Sequence, residues 1–339
     1  MTWGRDRGKT RMTIVVTGVA GFIGMHVAEA LLARGQAVVG IDSLNDYYSV
    51  ALKEARLARL TGRPGFRFFR ADIADRDAIA ALDPEMNQAT GLIHLAAQAG
   101  VRYSLENPYA YIDANVMGHT VMLEAARRMP RLTHAVYASS SSVYGGNKTM
   151  PFSVADRVDR PVSLYAATKK AGELIAHCYS HLYGLPATGL RFFTVYGPWG
   201  RPDMAAYLFA DAIMAGRPIR VFNHGRMQRD FTYIDDIVNG ILATLDHPPP
   251  PDEDGVRHRV FNLGNHRSES LMDFIGVLEK ALDRKAEMVL EPMQPGDVPA
   301  TFADIEATRQ AIGFTPRTPI TEGLPRFARW YKDYHGIDA

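Results

Sequence analysis

Two residues four apart, Tyr165 and Lys169, are the first candidates for chemistry in this sequence of 339 residues. In a helix this spacing places both side chains on one face, so a phenol and an ammonium can contact the same ligand. A free phenol has a pKa of about 10, and a neighbouring positive charge favours the phenolate nearer to neutral pH. The pair therefore predicts a general base that removes a proton from a hydroxyl group.

The spacing also arises by chance on helix faces, so the serines upstream carry the second part of the argument. Residues 139–142 are four serines that directly follow an apolar run typical of a strand. The carboxyl end of such a strand is the edge at which doubly wound sheets bind ligands. A serine hydroxyl at this edge can share the reacting hydroxyl of a substrate with Tyr165, and the order of these features predicts a catalytic site.

A glycine loop is the third feature that indicates chemistry. Gly18, Gly21 and Gly24 follow an apolar run and open a helical pattern. Glycines allow a tight turn, and the free amide groups at the positive end of a helix bind a pyrophosphate. Asp42 ends the second predicted strand, where a carboxylate accepts hydrogen bonds from adenosine ribose hydroxyls. This acid, with no basic residue in 43–48, favours NAD over NADP.

The elements that must position these residues follow an alternating pattern. Predicted strands lie at residues 13–17, 37–41, 66–71, 91–95 and 134–138, and helical patterns lie at residues 22–34, 113–129 and 163–183. This alternation is typical of parallel βαβ units, so the sequence predicts an α/β fold with a doubly wound parallel sheet of the Rossmann type.

The domain organisation follows from where this regularity ends. After Pro186, loops that contain Gly and Pro separate shorter elements, which indicates a smaller C-terminal α/β lobe over the sheet's carboxyl edge. We expect a disordered extension at residues 1–11, a cofactor-binding domain at 12–190 with a later contribution from about 233–264, and a substrate lobe at 191–232 and 265–339.

Composition disfavours several classes of protein. Lys and Arg number 38 against 37 for Asp and Glu, so the net charge of +1 gives no case for binding nucleic acid or an anionic membrane. No apolar run approaches the ~20 residues that span a bilayer. The one cysteine, Cys178, cannot form an intrachain disulfide or a cysteine metal cluster, and its helical pattern favours a core position. We expect a soluble, cytoplasmic protein without a bound metal.

Further motifs occur in one order with the glycine loop and the Tyr-Lys pair. They are His94-Leu95-Ala96-Ala97, Asn115, Val143-Tyr144-Gly145, Arg229-Asp230-Phe231 and Pro295-Gly296-Asp297. Together they resemble the extended short-chain dehydrogenase/reductases, in the group of NAD-dependent nucleotide-sugar epimerases and dehydratases, over residues 12 to about 335. The resemblance implies that Ser140 is the catalytic serine, that NAD is tightly bound and regenerated in each turnover, and that a homodimer pairs through a four-helix bundle to which the Tyr165 helix contributes.

The cofactor residues come from the glycine loop, the strand ends and this resemblance. They are Gly18, Gly21, Phe22, Ile23, Gly24, Asp42, Asn45, Asp72, Ile73, Leu95, Ala97, Gln98, Asn115, Tyr165 and Lys169. Lys169 is expected to hold the nicotinamide ribose, and a positively charged nicotinamide would favour the Tyr165 phenolate further.

Ser141 and Ser142 bear on which reaction is expected. Related 4,6-dehydratases carry an Asp-Glu pair at these places, and related decarboxylases carry a glutamate in the same stretch. Dehydration needs a side-chain acid and base, which serine hydroxyls cannot replace because their pKa lies far above neutrality. The two serines therefore favour oxidation and re-reduction of one carbon, which is epimerisation.

Residues 42–48, 99–104, 191–204 and 293–297 are similar to UDP-glucuronate 4-epimerases. Thr194 stands where UDP-galactose 4-epimerases typically have Asn, so Ser141, Ser142 and Thr194 could donate hydrogen bonds to a sugar carboxylate. The resemblance implies that Arg201 and Arg229 meet the diphosphate and that Asp297 accepts from the uridine ribose. The full expected substrate set is Arg102, Ser140, Ser141, Ser142, Thr194, Arg201, Arg229 and Asp297.

The expected activity is conversion of UDP-glucuronate to UDP-galacturonate through a 4-keto intermediate. One alternative is a 4-epimerase for UDP-glucose and UDP-galactose, or one of broad specificity, because the sugar contacts are few. A second alternative is a non-catalytic NAD-binding scaffold, since a fold alone does not establish activity.

Overall fold

A computed structural model describes residues 12–294 and 297–337 of the chain. The extension expected at residues 1–11 lies outside the described residues, as do Pro295 and Gly296 of the Pro-Gly-Asp motif.

The described residues form strands that we number β1 to β13 in chain order. They are Thr13–Thr17, Ala37–Asp42, Phe66–Arg70, Gly91–His94, His134–Ser140, Ala187–Phe192, Thr194–Tyr196, Ile219–Val221, Gln228–Arg229, Phe231–Tyr233, His258–Leu263, Glu269–Ser270 and Met288–Leu290. The main sheet has the order β11-β6-β5-β4-β1-β2-β3, and every pairing within it is parallel. The predicted doubly wound parallel sheet is confirmed, and its five predicted strands end within two residues of the expected positions.

The helices of the described residues, α1 to α13, cover both faces of this sheet and continue beyond it. They are Phe22–Ala33, Val50–Ala58, Arg76–Ala80, Asp83–Met86, Tyr103–Glu106, Pro108–Ile112, His119–Arg128, Leu164–Tyr183, Ala205–Met214, Ile234–Asp246, Leu271–Leu282, Glu306–Ile312 and Ile320–His335. None of the described helices is long and apolar enough to cross a membrane.

The helix predicted at residues 113–129 is irregular at its start. Asp113–Gly118 is a π-helical turn that leads directly into α7. At Gly118 a Cβ atom would lie 2.7 Å from the Ile73 side chain, so only glycine allows this close approach to the loop after β3. Single π-turns of this kind are frequent at functional sites, and this one carries Asn115.

Cys178 does not lie in the core, so the prediction of a core position was wrong. It is exposed on α8, four residues from Leu174 and four from Leu182, which are also exposed. We call these three residues the outer face of α8. The opposite face of the helix, with Gly172 and Ala176, is buried against the sheet. A helical apolar pattern reports which residues share a face, but it does not say what covers that face.

A second lobe, formed by β7 to β10, β12, β13, α9, α11 and α13, lies beyond the main sheet. Its strands make three two-stranded sheets, β10-β7, β12-β9 and β13-β8. Helices α9, α11 and α13 pack on one another, and Phe231 stacks on Phe274 with ring centroids 4.1 Å apart. The lobe and one face of the main sheet share a continuous apolar core, which fixes the walls of the cleft between them.

Candidate active site

A cleft of about 1180 Å³ runs along the carboxyl ends of the main strands and into the second lobe. Every residue that the sequence predicts for cofactor or substrate lines this cleft, apart from Asn115. Asn115 lies behind the wall, where its side chain accepts from Gln98 N at 2.9 Å and donates to Gln98 O at 2.9 Å and to Thr168 Oγ1 at 3.1 Å. It therefore holds the loop that carries Gln98 and does not face the cleft itself.

The glycine loop has the shape that a dinucleotide pyrophosphate needs. Gly18 has a φ of +70°, and a Cβ there would lie 2.8 Å from Ala96 N. A Cβ at Gly24 would lie 2.0 Å from Gly18 O, so the start of α1 packs on the turn only without side chains. Gly21 caps α1 without a side-chain hydrogen bond, which leaves the first amide groups of the helix to an anion in the cleft. These residues fit NAD.

Asp42 is held at the end of β2 by two main-chain contacts. One carboxylate oxygen accepts from Ala20 N at 3.0 Å and the other accepts from Leu44 N at 2.8 Å. Burial raises the pKa of Asp42, and these two amide groups partly oppose that change. Each carboxylate oxygen has two lone pairs, so both remain able to accept from ribose hydroxyls.

The prediction of NAD depends on the lack of a basic residue in 43–48, and Lys53 lies just beyond that range. Its ammonium lines the adenosine end of the cleft and donates to Asn45 Oδ1 at 2.6 Å. Burial lowers the pKa of Lys53, and the charge of Asp42 opposes that change. Lys53 is three residues from the buried Arg56 on α2, and this helical spacing is the signal that could have indicated that Lys53 faces inward.

The catalytic cluster forms where β5 ends beside the first turn of α8. Ser163 caps α8 by accepting from Ala166 N at 3.1 Å, which places Tyr165 in the first turn. Tyr165 lies beside the hydroxyl of Ser140, the last residue of β5, and both side chains line the cleft. The Lys169 ammonium donates to Ala138 O at 2.9 Å, so its position is fixed by the main chain of the same strand.

Burial controls the protonation of this cluster. It raises the pKa of Tyr165, and the hydrogen bond from Ser140 opposes that change. It also lowers the pKa of Lys169 to about 8. The sequence predicts that the Lys169 charge lowers the pKa of Tyr165. In the structure the pKa is raised, because the loss of hydration on burial is the largest effect. The protein part of the site therefore keeps the phenol protonated near neutral pH.

A buried ion pair between Arg191 and Glu173, which the sequence did not predict, contacts the first of the four serines. Arg191 donates from Nε and Nη2 to the two carboxylate oxygens of Glu173 at 2.8 and 2.9 Å, and Ser139 Oγ donates to the same carboxylate at 2.7 Å. Burial disfavours the Glu173 charge, but Arg191 outweighs it and the pKa of Glu173 is lowered. Glu173 follows Lys169 by four residues on α8, which is a spacing that the sequence displays.

The hydroxyl groups predicted for a sugar carboxylate lie on two neighbouring segments. Ser141 and Ser142 open the 3₁₀ turn Ser141–Tyr144 directly after β5, with Ser142 N donating to Ser140 Oγ at 3.1 Å. Thr194 begins β7, and its main-chain amide donates to Asp230 O at 3.1 Å. All three side chains line the same cleft as the catalytic cluster. Positions 141 and 142 therefore present hydroxyl groups to the cleft and no carboxylate.

Arginines occupy the part of the cleft that extends into the second lobe. Arg201 donates from Nε to Asp203 Oδ1 at 3.0 Å, and the hydroxyl of Tyr47 donates to Asp203 Oδ2 at 3.2 Å. Asp203 and Tyr47 thus fix Arg201, although the sequence analysis gave neither of them a role. Burial lowers the pKa of Arg229. Partly buried arginines whose planar donors are held in place are suited to bind a diphosphate.

Arg102 and Asp297 meet at the entrance of the cleft. Their side chains form an ion pair at 3.3 Å between the loop after β4 and the second lobe. The Arg102 guanidinium also stacks on the ring of Phe222, 4.6 Å from its centroid. Both residues predicted for substrate at this end are therefore brought together.

A parallel sheet with a glycine loop after β1 and a Tyr-x-x-x-Lys pair beside β5 defines a dinucleotide-binding α/β protein with an oxidoreductase-type site. Residues 14–264 match the NAD dependent epimerase/dehydratase family. The chain belongs to this family.

Relatives with high sequence similarity carry related names. The chain is 51% identical over 336 residues to a probable UDP-glucuronate 4-epimerase of Rhizobium meliloti (strain 1021), covering 94% of this chain and 97% of that protein. It is 48% identical over 337 residues to UDP-glucuronate 4-epimerase 4 of Arabidopsis thaliana, covering 96% and 77% respectively. The crystal structure of the UDP-glucuronic acid 4-epimerase from Bacillus cereus in complex with UDP-glucuronic acid and NAD is similar, with a TM-score of 0.87, 34% identity and coverage of 95% and 100%.

Proposed function

We propose that this protein is an NAD-dependent UDP-sugar 4-epimerase that interconverts UDP-glucuronate and UDP-galacturonate. The observation that carries the proposal is the pair Ser141 and Ser142 next to Ser140 and Tyr165, with Thr194 on the neighbouring segment that lines the same cleft. This arrangement offers hydroxyl donors to a sugar carboxylate and provides no acid or base there for dehydration. The names of the relatives agree with this substrate.

Tyr165 moves the proton at the sugar O4. Its phenol and the Ser140 hydroxyl lie at the same place in the cleft, so both can contact one reacting hydroxyl. Bound NAD supplies the hydride acceptor and donor for C4. Lys169 donates to Ala138 O and lies one helical turn from Tyr165. Its positive charge favours the phenolate form of Tyr165 while the O4 proton leaves and returns.

Inversion at C4 requires the 4-keto sugar to turn its other face toward the cofactor while the nucleotide stays bound. Arg201, fixed by Asp203, and Arg229 hold the diphosphate, so most of the binding energy lies outside the sugar ring. The hydroxyls around the ring are small and leave it free to rotate.

A 4-keto uronate is a β-keto acid, and its carboxylate tends to leave as carbon dioxide. Ser141, Ser142 and Thr194 keep the carboxylate near the plane of the ring, where the breaking bond overlaps poorly with the carbonyl π system. The same residues therefore select the substrate and suppress its decomposition.

We also infer a homodimer and a division into two functional units. The outer face of α8 and residues that precede α7, such as Tyr109 and Met117, expose apolar side chains of the kind through which two copies pair. Residues 12–190 with 233–264 bind NAD, and residues 191–232 with 265–339 bind the nucleotide sugar.

The test is incubation of the purified protein with UDP-glucuronate, UDP-glucose and UDP-xylose, with the product sugars separated and identified. We expect UDP-galacturonate from UDP-glucuronate and little turnover of the other two. Turnover of UDP-glucose alone would favour the first alternative. A Tyr165→Phe protein that keeps its full role in cells would favour the NAD-binding scaffold.

A further inference from the structure

Arg56 is a fully buried cation that forms no ion pair within 4 Å with a described carboxylate, although its charge acts on the Asp42 carboxylate at longer range. It lies on α2 with 0% exposure and donates hydrogen bonds to main-chain carbonyls and to one phenol. Isolated buried charges are costly, so a site that keeps one holds it by several directed contacts. The positions of those contacts show what Arg56 connects.

Three successive carbonyl groups of one loop point toward the NAD-binding side of the molecule and are bound there by two side chains. Arg56 donates to Trp199 O from Nε at 3.0 Å and from Nη2 at 2.7 Å, and to Gly200 O at 3.0 Å. His26, on α1, donates to Pro198 O at 3.0 Å. Burial lowers the pKa of His26 to about 4, so it acts as a neutral donor at pH 7.

The loop needs such support because its own backbone is strained. Trp199 has a φ of +64°, which is unfavourable for a side chain of this size. Gly197, at a φ of +148°, packs so closely on Ile234 that a Cβ would lie 2.5 Å from its Cγ2. The residue that follows this stretch is Arg201, whose guanidinium enters the cleft.

We propose that Arg56, with His26, is a positioning residue that sets the 197–200 loop so that Arg201 meets the diphosphate of the nucleotide sugar. Arg56 acts through Arg201 and touches no substrate. The inference rests on the proposed function, because it assumes that Arg201 binds a UDP diphosphate.

A lysine at position 56 would keep the charge but could not span the carbonyls of residues 199 and 200 with a rigid fork of donors. The loop would then sample other conformations, and Arg201 would reach the diphosphate in only a fraction of them. We expect affinity for the nucleotide to fall while the chemistry at C4, which uses Ser140 and Tyr165, is preserved once substrate is bound.

The experiment is a double-mutant cycle on UDP binding, measured by calorimetry with NAD-loaded protein. Arg56→Lys is expected to weaken UDP binding about tenfold in the wild-type background and less than about twofold in Arg201→Met. The KM for UDP-glucuronate should rise by a similar factor, with kcat within about twofold of wild type and the bound NAD unchanged. Equal weakening in both backgrounds, or loss of NAD from Arg56→Lys, would overturn the proposal.

Two further variants keep the test independent of stability. Arg259→Lys removes a half-buried arginine near the amino ends of the strands, and its UDP affinity should equal that of wild type. A tenfold loss in this control would assign the effect to general destabilisation and contradict the proposal. If Arg56→Lys does not fold, His26→Leu replaces it and should show the same dependence on Arg201 with a smaller loss. Wild-type protein that fails to bind UDP would contradict the proposed function itself.

Discussion

Arg191 and Glu173 form a two-point ion pair, with distances of 2.8 and 2.9 Å, in a fully enclosed space behind the catalytic serines. Both side chains are 3% exposed or less. The pair joins β6 to α8 one helical turn beyond Lys169, so the strand that carries Arg191 and the helix that carries the catalytic pair cannot shift independently.

Glu173→Gln should lower the free energy of unfolding by about 3–5 kcal/mol, because it leaves the Arg191 charge buried without a partner. Urea unfolding monitored by circular dichroism measures the change. Glu322→Gln, which breaks an exposed pair with Arg326, should change stability by less than about 1 kcal/mol. Equal losses in the free energy of unfolding for the two variants would show that the buried pair stabilises the fold no more than the exposed pair does.

The same pair predicts a loss of stability in acid. Because the pKa of Glu173 is lowered in the folded protein, its contribution to stability is present above the ordinary glutamate pKa of 4.5 and is lost as pH falls through the folded pKa. The wild type should therefore lose more stability than Glu173→Gln between pH 5 and lower values. Parallel pH profiles of the two proteins would contradict the shift.

In NAD-free protein, Lys169 predicts a gain of stability as the pH rises above about 8. Its pKa is lowered from 10.5 to about 8 by burial, so the folded state releases this proton before the unfolded state does. The cost of burying the ammonium is therefore fully present below about 8 and is removed as pH rises toward 10.5. Relative to Lys169→Met, the wild type should gain stability over this window, by roughly 3 kcal/mol at most. A constant difference across the window would contradict the lowered pKa.

Tyr165→Phe should lower kcat by about 10²- to 10⁴-fold, because it removes the phenol beside Ser140 that moves the O4 proton. Initial rates with UDP-glucuronate measure the effect, and NAD content should match wild type. Tyr179→Phe, on the same helix but outside the cleft, is the control with unchanged rate. Near-normal activity of Tyr165→Phe would remove this residue from the mechanism.

Thr194→Ala should raise the fraction of product released as a UDP-pentose, since one donor to the sugar carboxylate is lost. Chromatography of the reaction products measures the ratio. Thr194→Ser keeps the hydroxyl and should retain the low wild-type ratio. No rise in the by-product for the alanine variant would count against a role for Thr194 in holding the carboxylate.

Leu174→Glu on the outer face of α8 should yield a monomer, because a charge there opposes apolar pairing. Light scattering after gel filtration measures the mass. Leu290→Glu changes another exposed leucine, on β13, and should leave the mass of a dimer unchanged. A wild type that is monomeric at micromolar concentration would contradict the dimer.

The features that the sequence predicts well are those whose spacing is local. The glycine loop, the Tyr165 and Lys169 pair and the strand before Ser140 each lie within one βα unit, so period and turn chemistry suffice to place them. Arg56 and Asp203 were not predicted, because their partners Trp199 and Tyr47 lie more than 100 residues away in the sequence. Arg191 was not predicted because its partner Glu173 lies on a different element, 18 residues earlier. Cys178 shows a related gap, since helical periodicity cannot separate a core face from an exposed apolar face.

The contact between Arg102 and Asp297 has a kinetic consequence. The pair is partly exposed, so it contributes less than about 1 kcal/mol and separates readily. At the cofactor end of the cleft, the tight packing of Gly18 on Gly24 and the two main-chain hydrogen bonds of Asp42 make a rigid wall. The two ligands should therefore differ in residence time, with the nucleotide sugar exchanging in every cycle and the dinucleotide remaining through many of them.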